Sequence, residues 1–243
     1  MRELARAGVP PMTAVIAGAQ TQGRGRVGRG WFSPADSGLW LSVLLPDDRS
    51  GFSGILPLAV GVAAARALER LIDGQVRLKW PNDLLLGDRK LGGILCEALG
   101  DPGDGVIVGL GINLRPPLDD VPGELVDSIA YLEGTAGREV HEPLVAKWLL
   151  AELMRWTWPV PMRLDGRLRA EWESRDCICG RRIMMEDGGR GRAESVAHDG
   201  ALVVRLDGGQ RVNVRSGSVR LDSPGGSGAL HAEAAPGFQV GGD

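Results

Sequence analysis

The sequence predicts a mixed α+β fold, a largely antiparallel sheet with flanking helices, followed by a smaller all-β unit. Three observations predict it. Two strand-length runs, Leu84 to Leu86 and Leu91 to Glu97, are separated by a tight Gly87-Asp88 turn, which is hairpin chemistry. Strands and helices do not alternate regularly, and no GxGxxG follows a strand and opens a helix, which argues against a dinucleotide-binding doubly wound sheet. From about Cys177 onward, short β runs alternate with DGG, HDG and DGG turns.

The elements follow in order. RELARAG reads as the end of a helix stopped by Gly8 and Pro10-Pro11. Thr13 to Ala17 is a short β-rich run, residues 20–31 form a loop without apolar periodicity, and Leu39 to Leu45 has strand length. From Pro57 to Ile72 apolar residues recur at 58, 62, 65, 68 and 72, the spacing of a helix whose first turn accepts Pro57 and whose end precedes Gly74. Strands are expected again at Val76 to Lys79, at the two hairpin runs, and at Gly105 to Ile112. After a Pro-rich loop, 115–123, a helix is expected from Pro143 to Trp156 with Leu144, Trp148, Leu149 and Trp156 on one face. A second helix is expected from Leu164 to Ser174. The β runs of the last part are Arg182–Met185, Ala193–Ala197, Ala201–Leu206, Arg211–Val214 and Val219–Leu221. A unit of about 45 residues has little core of its own, so it should pack on the larger domain. Domains are therefore expected at 1–176 and 177–222, with a disordered Gly/Ala/Pro-rich tail at 223–243.

Composition narrows the function. Of 243 residues 43% are hydrophobic and 24% charged, enough for a packed core without staples. Lys and Arg total 28 against 31 Asp and Glu, a net charge of −3, so a general polyanion binder is not expected and any basic site must be local. No apolar run reaches the ~18 residues of a membrane helix. The N-terminus has neither a signal h-region nor a lipidation motif, and a cytoplasmic location is expected. Cys96, Cys177 and Cys179 make no disulfide framework or zinc-knuckle spacing and are read as reduced thiols.

Three segments carry chemistry. Gly23-Arg24-Gly25-Arg26-Val27-Gly28-Arg29-Gly30-Trp31 alternates arginine with glycine and has no acidic residue. Glycine permits close backbone approach, and arginine supplies permanent donors for carboxylate or phosphate, so the loop reads as an anion cradle. The competing reading is a solvated Arg/Gly segment that touches RNA; the flanking strands and the acidic net charge weigh against it. In Lys79-Trp80-Pro81-Asn82-Asp83 a Lys, an Asn and an Asp cluster at a turn where Pro81 interrupts the strand, and the two oxygen-bearing side chains suit Mg²⁺ or a ribose. The same second segment continues in Arg89-Lys90-Leu91-Gly92-Gly93, which places a lysine in an apolar strand beside two glycines that allow close ligand approach. Val108-Gly109-Leu110-Gly111-Ile112-Asn113-Leu114 ends a buried strand on glycines and an Asn. Taken singly, the second and third segments read as turn chemistry, an edge lysine and a packed strand end.

Taken in order and at this spacing, QTxGRGRxGRxW, KWPND, RKLxGIL and GxGINL resemble the successive signatures of the biotin–protein ligase family, over about residues 1–222. Lipoate ligases and octanoyl transferases are similar in fold but lack the first two motifs. The resemblance implies a catalytic domain like that of class II aminoacyl-tRNA synthetases and a C-terminal SH3-like β-barrel. It implies formation of biotinyl-5′-AMP and pyrophosphate from biotin and Mg-ATP, then transfer of biotin to a lysine of a biotin carboxyl carrier domain, as in acetyl-CoA carboxylase. Arg26, Lys90 and Asp83 would be catalytic. Gln20, Gly23, Arg24, Gly25, Arg26, Lys90 and Gly93 would hold biotin. Arg24, Arg26, Trp31, Asn82, Asp83, Lys90 and Asn113 would hold ATP and the adenylate, with Trp31 and Asn113 at the adenine. Arg26 would also keep the adenylate from escaping, and Asp83 would face Mg²⁺. Asp83 is also the motif carboxylate that could accept the proton of the attacking lysine or steer its ammonium.

Two departures stand out. The family's Ser-Thr-Asn element has no counterpart upstream of Gln20, and Gln22 replaces a usually small residue. A start misplaced by some residues accounts for the first departure; a binding paralogue impaired in transfer is the alternative. Without an N-terminal helix-turn-helix segment, DNA binding and repression are not expected. The identity of the carrier and dimerisation through the sheet stay open.

Overall fold

The computed structural model describes residues 1–46, 54–100, 104–118, 121–137 and 139–222. The expected tail at 223–243 lies outside the described residues.

A short helix α1 (Arg2–Arg6) leads into β1 (Ala14–Ala17), the arginine loop and β2 (Gly38–Leu45). Helix α2 (Leu56–Leu68) is followed by β3 (Arg77–Lys79), β4 (Asp83–Leu86), β5 (Arg89–Ala98) and β6 (Val106–Asn113). These strands form one antiparallel sheet in the order β1-β2-β6-β5-β4-β3. The Gly87-Asp88 turn joins β4 to β5 as turn chemistry requires, with Gly87 at φ 58°. Helix α2 is apolar nearly all round because it lies between the sheet and α4 (Glu142–Thr157); of its residues only Pro57 and Arg66 are not buried. Gly61 lets it settle closely, since a Cβ there would lie 3.4 Å from Leu78 and 3.6 Å from Ile94. Full burial of a leucine such as Leu58 contributes on the order of 2 kcal/mol.

Helix α3 (Glu133–Ala136) is a single turn absent from the sequence reading. Helix α4 corrects the expected face. Leu144 is exposed at 39%, whereas Val145, Ala146, Leu149, Leu153 and Trp156 are buried. The apolar stripe begins one residue later because Leu144 falls in the first turn, on the side away from α2. Helix α5 (Gly166–Glu173) starts two residues after the expected Leu164, which is itself fully buried.

The remaining strands, β7 (Arg182–Met185), β8 (Arg190–Val196), β9 (Leu202–Leu206), β10 (Arg211–Val214) and β11 (Val219–Leu221), make a second antiparallel sheet ordered β10-β9-β8-β7-β11. The edge strands β10 and β11 are not paired with each other, so the expected barrel is seen as an open five-stranded sheet among the described residues. Ile178, Ile183, Ala193, Val196, Leu202, Val204 and Val219 belong to the same hydrophobic cluster as the six-stranded sheet. The small unit therefore packs on the large one, as its size demands. No helix is long and apolar enough to cross a membrane among the described residues.

Candidate functional site

One row of the large sheet organises the site. Lys79 on β3 pairs with Asp83 on β4, Asp83 with Gly93 on β5, and Gly93 with Gly111 on β6. Residues opposite one another across antiparallel strands share a face. The row therefore carries a lysine and an aspartate at one end and a patch without side chains at the other. Trp31 covers that patch: a Cβ at Gly111 would lie 2.5 Å from its Nε1 and one at Gly93 3.1 Å from its ring. In this structure the space beside Gly93 is filled by that indole. Gly92 serves packing instead, for its Cβ would meet the Gly111 carbonyl at 2.7 Å.

Lys90 reaches the same face through an irregularity. The β4–β5 register shifts between Leu84 and Leu85, so that Leu84 faces Gly92 and Leu85 faces Lys90. A bulge of this kind reverses the alternation and re-aims a side chain. Lys90 Nζ thereby lies 2.8 Å from Asp83 Oδ1, and Lys79 Nζ lies 3.6 Å from Oδ2. The Lys90 backbone is fixed as well: its N–H donates to Ser128 O at 2.7 Å and its carbonyl accepts from Ala130 N at 2.9 Å. Burial alone would raise the Asp83 carboxyl, but the two ammonium groups hold it below the ordinary carboxylate range.

The arginine loop folds back on itself. Arg24 bridges Gly30, Trp31 N–H donates to Gly23 O at 2.9 Å, and Gly25 N–H donates to Arg29 O at 2.7 Å. A single 3₁₀ turn, Arg26–Gly28, forms its tip, with Val27 at φ 55° and Gly28 at φ 72°. Two glycines of the loop have structural duties of their own. Gly23 does not line the pocket; a Cβ would lie 2.3 Å from the Trp31 carbonyl, so its glycine is needed to close the loop. The Gly25 N–H is used within the loop instead of pointing at a ligand.

Arg24 and Arg26 both line the pocket but hold different partners. Arg24 pairs with Glu97 of β5 at 3.4 Å, and Glu97 also binds Arg2 at 2.7 Å. Arg26 Nη1 lies 3.4 Å from Asn82 Oδ1 and 3.4 Å from Gly217 O of the C-terminal unit. Burial lowers the basicity of Arg26 from its usual value, opposed by the charges of Asp83 and Glu186. Asn82 is locked by Nδ2–H donating to Ile94 O at 2.9 Å. Gln20 Oε1 accepts from Ser33 Oγ at 2.8 Å.

These groups line a cavity of about 640 Å³, within the range of small-molecule sites. Gln20, Arg24, Gly25, Arg26, Trp31, Asn82, Asp83, Lys90 and Gly93 meet there. Among the described residues on its wall are seven lysines and arginines against three carboxylates, a local excess of +4 in a chain of net charge −3. Asn113 is not part of it. Its Nδ2–H donates to Lys90 O at 3.1 Å, and it lines a small crevice of about 30 Å³ with Trp31, Phe32, Leu125 and Ile129. The sequence reading assigned no role to Lys79, Glu97 or Gly217. Lys79 stands in a recognised motif; the other two had no local signal.

Both Asp83 oxygens face ammonium groups here, and no three His, Cys, Asp or Glu side chains gather among the described residues, so these side chains form no metal cage by themselves; a Mg²⁺ ion held mainly by ATP phosphates would need none. The cysteines are all free thiols. Burial pushes Cys177 up to about 11 and raises Cys96 further, so neither is a ready nucleophile.

A chemistry that fits is the joining of two anions, for which concentrated fixed cations are the main requirement. Residues 3–113 match the model of the biotin/lipoate A/B protein ligase family. The bifunctional ligase/repressor BirA of Bacillus subtilis is 38% identical over 61% of the chain, and the chain spans about half of that relative's length, 46%. The biotin–[acetyl-CoA-carboxylase] ligase of Mycobacterium tuberculosis is 31% identical over 84% of this chain and 77% of its own length. A structure of the biotin protein ligase of Aquifex aeolicus in complex with biotin and ATP superimposes with a TM-score of 0.77 at 27% identity, covering 90% of this chain and 94% of that one. The pocket motifs, in the family's order and on its fold, and a relative matched over most of both lengths place this chain in the biotin protein ligase family.

Proposed function

We propose that this chain joins biotin to AMP and then passes biotin to a lysine of a carrier domain, as the names of its biotin–[acetyl-CoA-carboxylase] ligase relatives suggest. The observation that carries the reading is the meeting of Arg24, Arg26 and Lys90 around one cavity with the Lys79–Asp83–Lys90 chain on its floor. In the first step a biotin carboxylate oxygen bonds to the α-phosphorus of ATP, and the bond from that phosphorus to the bridging oxygen breaks, releasing pyrophosphate. Both reactants are anionic, so Arg24, Arg26 and Lys90 lower the repulsion and stabilise charge as it builds on phosphorus. In the second step a neutral lysine amine bonds to the biotinyl carbonyl carbon, the carbon–oxygen bond to phosphate breaks, AMP leaves with the electron pair, and the surplus proton on nitrogen passes to water.

Asp83 acts by placement in this scheme. Both its oxygens are taken up by Lys79 and Lys90, so it orients Lys90 and steers the cationic carrier lysine toward the pocket before that lysine gives up its proton and attacks. Asn113 and the crevice beside Trp31 are read as the adenine side, and Gln20 as a biotin contact. The five-stranded C-terminal sheet is read as the SH3-like unit beginning near residue 177. The test is biotin-dependent exchange of labelled pyrophosphate into ATP by the 243-residue chain. Exchange that is lost on Lys90→Met supports the reading; a folded chain that shows no exchange refutes it.

A further inference from the structure

Arg26 is the one member of the cation set that touches both units. Its two contacts, Asn82 Oδ1 and Gly217 O, both engage Nη1, and among the described residues no hydrogen bond uses its other nitrogens. A guanidinium carries five donors in a fixed fork, so anchoring one corner orients the rest toward an anion. The Gly217 anchor is itself held. Gly217 has φ 98°, and a Cβ there would lie 2.8 Å from Glu186 Oε2, so the loop lies directly on that carboxylate. The same oxygen accepts from Ser218 N–H at 3.0 Å. Glu186 follows Met185 at the end of β7, in a turn closed by Met185 N–H to Gly189 O at 2.8 Å and Gly189 N–H to Asp187 Oδ1 at 2.9 Å. A rigid hairpin thus carries a carboxylate that fixes a loop whose carbonyl meets Arg26.

We propose that Glu186 is a positioning residue. Through Ser218 and Gly217 it fixes the face of the C-terminal unit against Arg26, and so decides how firmly the pocket retains the anionic intermediate. The proposal rests on the reading of the pocket as an adenylate-forming site. Glu186 is exposed, so its removal leaves the core intact.

The experiment compares the full chain with Glu186→Ala and Glu186→Gln in three measurements. Hydrogen exchange of the ligand-free protein follows residues 215–219 and 24–29. Chromatography follows biotinyl-AMP released into solution from biotin and ATP without carrier. Thermal unfolding reports stability. Loss of one hydrogen bond predicts about five-fold faster release for Glu186→Ala, with a raised KM for ATP and little change in kcat of pyrophosphate exchange. Both segments should exchange faster at unchanged Tm. Glu186→Gln should stay near wild type, because its amide oxygen still accepts from Ser218. Wild-type exchange at 24–29 in Glu186→Ala overturns the proposal, as does a Gln variant as impaired as the Ala variant. If the wild-type chain forms no biotinyl-AMP, the adenylate-forming reading fails, and exchange at 24–29 alone decides for or against Glu186.

Discussion

Replacing Trp80 by phenylalanine removes the indole N–H that donates to Gly200 O at 2.9 Å across a separation of 120 residues. Trp80 is 1% exposed and Gly200 is also buried, so bulk water does not reach the bond. A buried carbonyl left without its donor costs about 1–3 kcal/mol. The smaller ring leaves roughly 40 Å³, and at ~24 cal/mol per Å³ that adds about 1 kcal/mol. The turn at Gly200 cannot follow easily, because φ is 85° there and a Cβ would lie 2.6 Å from Gly54 O. The expected loss is therefore about 2–4 kcal/mol. Urea unfolding followed by far-ultraviolet circular dichroism measures it, as a lower midpoint with an unchanged slope. A loss below about 0.5 kcal/mol would refute the claim that this tryptophan fastens the C-terminal unit to the large sheet.

Three further outcomes are expected. Gly111→Ala puts a methyl 2.5 Å from Trp31 Nε1 and should displace the indole, costing about 1–3 kcal/mol and weakening ATP binding measured by calorimetry. Gly123→Ala, with nothing within 4 Å, is the matched control and should change neither. Glu152, 3% exposed, accepts from Arg70 and from Trp156 Nε1, both at 3.0 Å, and lies 3.6 Å from Arg66 Nε; Glu152→Ala should cost on the order of 2–3 kcal/mol in urea unfolding, below a fully buried pair because both arginines partly reach solvent. Asp83 has a folded-state pKa depressed below its ordinary 3.8, so its contribution is fully present above that pH and is lost as pH falls through the folded value. Wild type should therefore lose stability faster than Asp83→Asn below about pH 4, and parallel acid profiles would count against the Lys79–Asp83–Lys90 arrangement.

Much of the architecture was legible because its causes are local. The Gly87-Asp88 turn sets the β4–β5 hairpin through backbone conformations that these residues accept. The apolar period over α2 and the small-residue turns between β7 and β11 act within a few positions in the same way. The face of α4 was misread at Leu144 because a stripe can shift by one residue in the first turn without altering composition. The charged members of the site were legible as types: cations alternating with glycine, and a lysine inside an apolar strand.

What those residues touch was not legible. Lys90 faces Asp83 through a register shift that no single strand announces. Gly93 and Gly111 make a bare patch because β5 and β6 place them opposite one another, and Trp31 comes from a third segment to cover it. The part that Gly23 plays in closing the arginine loop was not legible either. Trp80 ties down a turn 120 residues away, and Arg26 meets a carbonyl 191 residues away. By itself the sequence determined most of the elements, the charge of the site and the family resemblance, since these depend on near neighbours and residue identity. Only the tertiary structure decided which groups meet, because strand register and the docking of the C-terminal unit are set by packing summed over the whole chain.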